Sequence, residues 1–241
     1  MNNEINLNVK EVQMALKLFE GINTDCDLIV KDDTFRISAV SSCNSMMGQY
    51  VASCGNSTDC DGMLDIKDFQ TALKRCKKDT TITMTNEQLL VTHDKGFVAL
   101  RLKDRPAGSF KELPTLQFQS FFRADCSEIS GALTPLISMS KEDGESIVFS
   151  IENNVQIDKK NGQCATDLKL KYTGLKGSSE QIVEGIGEGQ AKAMYGVSYL
   201  KQLFSVPLKA KISLSMDYPM QVEYETDAVL KVLLAPRVSN N

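Results

Sequence analysis

Lys10 and Lys17 stand seven positions apart with Gln13 between them. Lys67 and Lys74 repeat that interval and Lys78 extends the row, with Arg75 and Lys77 beside it; further on, Lys201 is followed by Lys209. Seven residues make two helical turns, so the first two sets would each lie along one helix face, while Lys201 would be exposed on a helix and Lys209 just beyond its end. A row of cations at this spacing suits phosphate neutralisation: counterions leave, and a duplex is held without its bases being read. A competing account is plain solvation, because any surface helix can carry lysines on its wet side. Acidic residues gather elsewhere, at Asp25, Asp27, Asp32 and Asp33, at Asp59 and Asp61, and at Glu180, Glu184 and Glu188. The net charge of −4 therefore hides a segregated field.

Other groupings fail on context. The run 185–189, GIGEG, has the glycines of a dinucleotide loop, but it lacks a following helix and puts a glutamate where pyrophosphate would sit, so it reads as a loop. Asp59 and Asp61 open like a calcium loop whose remaining ligands are missing. His93 is the one histidine, beside Asp94 in a hairpin, and no nucleophile and base pair around it. Seven cysteines, an odd number with no Cys-x-x-Cys, read as reduced and mostly buried thiols rather than a metal site. No metal, cofactor or catalytic group is expected. The sequon Asn56-Ser57-Thr58 reads as a loop, since the N-terminus has no apolar signal core. No apolar run approaches the roughly 20 residues of a membrane helix, and 42% hydrophobic with 24% charged residues are globular proportions. Together these point to an intracellular protein with no membrane span.

The elements that carry the lysines can be read from periodicity. Apolar stripes at helical spacing cover 9–20, 66–77, 126–139 and 197–206. Three begin with a capping signal: Asn8 with Glu11, Asp65 with Asp68, and Asp125 with Glu128. Alternating segments predict strands at 27–30, 34–40, 80–85, 89–92, 97–102, 146–151, 155–158, 167–172, 211–216 and 220–224, with turn signals near 94–96, 152–154, 161–162 and 217–219. The short connections imply antiparallel hairpins. From Leu73 to Ile82 is nine positions, and from Leu203 to Ile212 is nine again. The chain thus predicts an α+β fold of two similar halves, each with two helices and many strands, at 1–102 and 118–241. Residues 103–117 hold Pro106, Gly108 and Pro114 without periodicity and read as a connecting linker.

With that layout, the segments YLKQLF at 199–204, ISLSM at 212–216, DYPMQVEY at 217–224 and LLAPRV at 233–238 resemble the C-terminal end of sliding DNA clamps of the proliferating cell nuclear antigen (PCNA) type. SAVSSCNSMM at 38–47 is similar, more weakly, to the front loop of their first half, and Leu113 and Pro114 before Phe118 to the linker's exit. The layout covers nearly the whole chain and close residue similarity about a quarter of it. The resemblance implies a ring, usually a homotrimer, around double-stranded DNA, with helices inside and sheets outside. Subunits would pair edge strands, here 97–102 against 163–171. Lys10, Lys17, Lys67, Lys74, Arg75, Lys78, Lys201 and Lys209 would face the DNA. It also implies a pocket for clamp-binding peptides of a DNA polymerase, the clamp loader and other partners. By motif position its walls would be Val40, Asn44 and Met47, then Phe110, Leu113 and Pro114, then Pro219, Ala235, Pro236 and Val238. Ordinary core packing is the competing role for each apolar member.

Three departures mark a divergent member, with a virus among its candidate sources. The third helix has a Ser/Thr face, Ser127, Ser130, Thr134 and Ser138, with only Arg123 and Lys141 flanking it. The stretch 50–64 does not align, and only Ser-Asn-Asn follows Val238. The expected function is that of a non-enzymatic polymerase processivity factor, acting in a nucleus or a viral replication compartment. Two readings compete: a subunit of a heteromeric checkpoint-type clamp or clamp-like transcription cofactor, and an α+β enzyme or small-ligand protein. The last would need a polar pocket of tuned titratable groups, which the sequence does not present.

Overall fold

Each apolar stripe folds as a helix laid on a sheet. The structure, a computed structural model, describes residues 3–5, 7–55, 58–74, 76, 80–105, 111–140, 146–157, 164–174 and 177–237. By contacts the chain divides into two units, Met1–Leu113 with Thr226–Leu230, and Pro114–Glu225 with Lys231–Asn241.

The first unit runs β1 (Asn3–Ile5), α1 (Val9–Glu20), β2 (Asp25–Lys31), β3 (Thr34–Val40), β4 (Met46–Ser53), β5 (Cys60–Asp65), α2 (Ile66–Leu73), β6 (Thr81–Met84), β7 (Gln88–His93) and β8 (Gly96–Arg101). The second runs β9 (Ser120–Asp125), α3 (Cys126–Met139), β10 (Ser146–Ile157), β11 (Cys164–Gly174), β12 (Gly177–Glu188), β13 (Ala191–Gly196), α4 (Val197–Leu203), β14 (Lys209–Leu214), β15 (Met220–Tyr224) and β16 (Val229–Leu234). The order is the same twice: strand, helix, four strands, helix, three strands. Pairing repeats too. The first strand joins the last three, β1-β6-β7-β8 and β9-β14-β15-β16, and the middle four form β5-β2-β3-β4 and β13-β10-β11-β12. Among the described residues, no helix is long and apolar enough to cross a membrane.

In α1, Val12, Ala15, Leu16 and Phe19 are fully buried. A Cβ on Gly48 of β4 would meet the Phe19 ring, so this glycine lets the helix lie close on the sheet. Glu11 is buried as well. Its carboxylate accepts from the backbone N–H of Asp227 at 2.9 Å and of Ala228 at 3.2 Å, which satisfies the charge inside the unit. Of the three capping signals only Asp65 caps by side chain, accepting from the N–H groups of Lys67 (2.8 Å) and Asp68 (3.1 Å). Asn8 and Asp125 are in extended conformation without that bond.

Four expectations change. Helix α2 ends at Leu73 rather than 77, because the Cys76 N–H turns back to the Leu73 carbonyl in a tight turn. Helix α4 ends at Leu203 rather than 206: Phe204 already leaves helical geometry, at φ −108° and ψ 24°, three residues ahead of Pro207. Residues 152–154 are not a turn: β10 runs through them, and a register shift between Asn153 and Ile157 absorbs the irregularity. The run 185–189 is not a loop but mostly the end of β12. Its glycines allow a close crossing, since a Cβ on Gly187 would meet the Phe121 carbonyl and one on Gly185 the Phe122 ring. There Ile186, Gly187 and Glu188 pair with β9.

Candidate functional site

The cationic faces rest on helix pairs. In the first unit, Gln13 Nε2 donates to the Leu73 carbonyl at 2.9 Å, and Gln70 Nε2 to Glu20 Oε2 at 3.4 Å. These bridges set α1 and α2 side by side in opposed directions. Gln13 lies between Lys10 and Lys17, and Leu73 precedes Lys74, so one amide gathers three exposed lysines. Lys67 is exposed two turns back along α2. Lys10, Lys67, Lys74 and Lys201 enter no ion pair among the described residues, which leaves their charge for an outside anion. In the second unit Lys201 is exposed on α4 and Lys209 at the head of β14. The α3 face behaves differently. Thr134 Oγ1 donates to the Ser130 carbonyl and Ser138 Oγ to the Thr134 carbonyl, both at 2.8 Å, so these hydroxyls are spent on their own helix around Pro135. Arg75, Lys77, Lys78, Lys141, Phe110 and Val238 lie outside the described residues.

The front loop, 41–45, is held by its own bonds. Ser41 Oγ accepts from the Met46 N–H at 3.0 Å, and the Asn44 N–H donates to the Ser41 carbonyl at 2.9 Å. Asn44 takes φ 54°, a left-handed conformation that asparagine tolerates. Its Oδ1 accepts from Lys111 Nζ at 2.7 Å. Residues after β8 strap this face of the first unit. Lys103 and Met63 exchange backbone bonds, Lys103 Nζ reaches Asp25 at 2.6 Å, Arg105 reaches Asp61 at 2.8 Å, and Glu112 reaches Arg36 at 3.1 Å. The bond to Asp25 raises the Lys103 ammonium above its usual range. Val40 and Asn44 share a hollow of about 280 Å³ with Met63, Asp27 and Lys111. Met47 is paired with Val40 across β3 and β4 and is half-buried, as is Leu113; Pro114 is exposed.

In the second unit Pro219, Ala235 and Pro236 are half-buried, and the Arg237 N–H donates to the Met194 carbonyl at 2.7 Å. A hollow of about 440 Å³ next to Pro219 is lined by Phe118, Met216 and Tyr218, the two rings meeting edge-on at 6.0 Å. Phe118, Met216, Tyr218 and Lys111 were not legible as site residues. The available signal was an aromatic just past the linker and another just before a proline.

Among the described residues, β8 and most of β12 are strands with one side unpaired. β8 pairs only with β7. β12 pairs along its length with β11 but meets β9 only at 186–188. The expected edge at 163–171 is wrong, because β11 lies between β10 and β12. The hairpin joining Gly174 to Gly177, with φ 128° at Gly177, folds β12 to the outside. The open stretches carry exposed apolar residues, Phe97 at 68% on β8 and Ile182 at 53% on β12. An exposed apolar edge of this kind is a template for pairing with another chain. Among the described residues no group of three or more His, Cys, Asp or Glu could hold a metal ion.

No family model matches the chain, and no curated protein does. Solved structures match over the whole length. A PCNA of A. fulgidus, solved with the C-terminal region of FEN-1 bound, is 15% identical with a TM-score of 0.79 over 100% of both chains. The PCNA of Thermococcus kodakaraensis gives 16% and 0.76 over 97% of this chain and 99% of that one. The PCNA2–PCNA3 complex of Sulfolobus tokodaii gives 14% and 0.73 over 98% and 99%.

Proposed function

We propose that this chain, whose fold is that of the PCNA clamps, is a DNA sliding clamp and polymerase processivity factor. The whole-length likeness to PCNA chains carries the reading. Copies close into a ring, three to the turn, when β8 of one pairs with β12 of the next. This heterologous contact closes by cyclic symmetry and covers Phe97 and Ile182. The lysine faces of α1, α2 and α4 look into the hole and touch phosphates weakly and without sequence preference, which permits sliding. DNA polymerase, the clamp loader and other partners dock short peptides on hollows of the front-loop and aromatic kind. The A. fulgidus clamp, with a FEN-1 region bound, supports that mode. Activity is tethering rather than catalysis: a partner held on an encircling ring keeps a high effective concentration at its template. The setting is the nucleus of a eukaryote or a viral replication compartment.

The test is native mass together with primer extension on primed circular and linear templates. A ring that stimulates extension on circles, and loses the effect through free linear ends, supports the tether. Mass of the chain alone separates a self-closing ring from one that needs a sister chain; PCNA2 and PCNA3 of Sulfolobus tokodaii form a complex of two different chains. A monomer that neither stimulates extension nor binds a clamp-recognition peptide defeats the reading.

A further inference from the structure

Three carboxylates line up toward the unpaired side of β12. On the exposed face of the second unit's sheet, Glu152 of β10 stands opposite Asp167 of β11, and Asp167 opposite Glu184 of β12. Like charges placed directly across a strand pair repel. Lys169 Nζ answers the first of them, 2.6 Å from Glu152 Oε2. Glu184, the last, is exposed and enters no ion pair among the described residues. Ile182 stands next to it on the same face, with Glu180 beyond. The free side of β8 carries a complementary order. Its exposed face presents Phe97, Ala99 and Arg101, and Lys95 sits exposed at the hairpin tip just ahead. Asp94, the other residue of that tip, lies 3.6 Å from His93 Nδ1. Val98 and Leu100 point the other way, paired with the fully buried Val91 and Leu89.

We propose that β8 of one copy adds to β12 of the next in a single antiparallel register, Phe97 opposite Ile182, with Lys95 brought to Glu184 as the cation that ends the acidic row. Residues opposite each other in an antiparallel pair share a face, so Phe97 can oppose only an even-numbered residue of β12. A slip of one would set it against Val183, which the chain's own core buries. A slip of two toward Glu184 would bring Gly96 against Gly185, where β9 already closes on β12: a Cβ on Gly185 would meet the Arg123 carbonyl. A slip of two the other way sets Phe97 against Glu180, leaves Ile182 without an apolar partner, and carries Arg101 past Gly177, where β12 begins. In the proposed register Arg101 ends opposite Ser178, one diagonal step from Glu180. The inference rests on the joint between β8 and β12 and adds which residues meet there. The partner it fits is a second copy of this chain, because the two edges match each other in charge and in apolar contact.

Cysteine pairs in the full chain read the register. Opposite Cβ atoms stand about 5 Å apart and diagonal ones about 7 Å, so a disulfide forms first at the true pair. Phe97→Cys is combined in turn with Glu180→Cys, Ile182→Cys and Glu184→Cys, and mild oxidation is followed on non-reducing gels. The pair at 97 and 182 should give covalent multimers several times faster than the other two, and a chain with Phe97→Cys alone shows what the native thiols add. Fastest crosslinking at 180 or 184 overturns the register and leaves the joint standing. Three pairs no faster than the single variant overturn joint and register together. Charge is read separately by sedimentation. Lys95→Glu should weaken self-association roughly tenfold, and adding Glu184→Lys should restore it to within about twofold. A Lys95→Glu chain that associates as before, or a double variant that stays weak, overturns the pairing of Lys95 with Glu184.

Discussion

Burial controls the chemistry of single residues more than their formal charge does. The Cys126 thiol is pushed from the ordinary 9.0 up to about 12, first by burial and then by the Asp125 carboxylate. Burial lifts Cys26 further, with Asp27, Asp25 and Asp65 adding to it. Both groups favour the protonated form in the folded state. Their contribution is complete below the unfolded value of 9.0 and is lost as pH climbs through the folded value. Urea midpoints should therefore hold from neutral pH to 9.0 and fall beyond it, and a Cys126→Ala chain should lose part of that fall. A midpoint flat between 9.0 and about 12 would refute the assignment. The lysines of the site were legible because spacing alone puts them on one face. Lys111 was not, since what matters about it is a bond to Asn44, distant in sequence. Three caps looked alike on paper, yet only Asp65 turns its side chain onto the helix, a bond worth about 1 kcal/mol.

Helices were legible where an apolar stripe could fill one side, as in α1 and α3, whose limits match the stripes. Where a tight turn or a residue leaving helical geometry set the end, the pattern overran it, as in α2 and α4. Strands suffered most where glycine was taken for a breaker. In β12 it serves close approach to β9, which only the paired structure can reveal. The helix pair of the first unit carries its own test. Replacing Lys10 and Lys74 by alanine should leave stability unchanged, since both are exposed. It should also flatten the salt dependence of binding to a short fluorescent duplex, by about 0.9 in log–log slope for each phosphate that is no longer neutralised. An unchanged slope would mean that this face meets only solvent.

For the molecule as a whole, the repeated order of ten elements was legible in outline, through two helix-to-strand intervals of the same length. The position of β11 inside its sheet was not, because alternation marks a strand without saying which neighbours it has. The open edges give the prediction at this scale. Phe97→Glu or Ile182→Glu should fold as before yet weaken self-association roughly thirtyfold, the equivalent of about 2 kcal/mol for a residue buried at an interface. Sedimentation velocity that shows an unaltered assembly would rule out β8 and β12 as the joint. Glu11 has a different consequence, one for biosynthesis. Its backbone donors stand 216 and 217 positions downstream, so a ribosome must pass Ala228 before this carboxylate is satisfied. The unit translated first thus stays incomplete until most of the second has been made. A nascent chain cut short of residue 227 keeps an uncompensated anion among apolar neighbours, which gives the cell's surveillance machinery a physical mark of incompleteness.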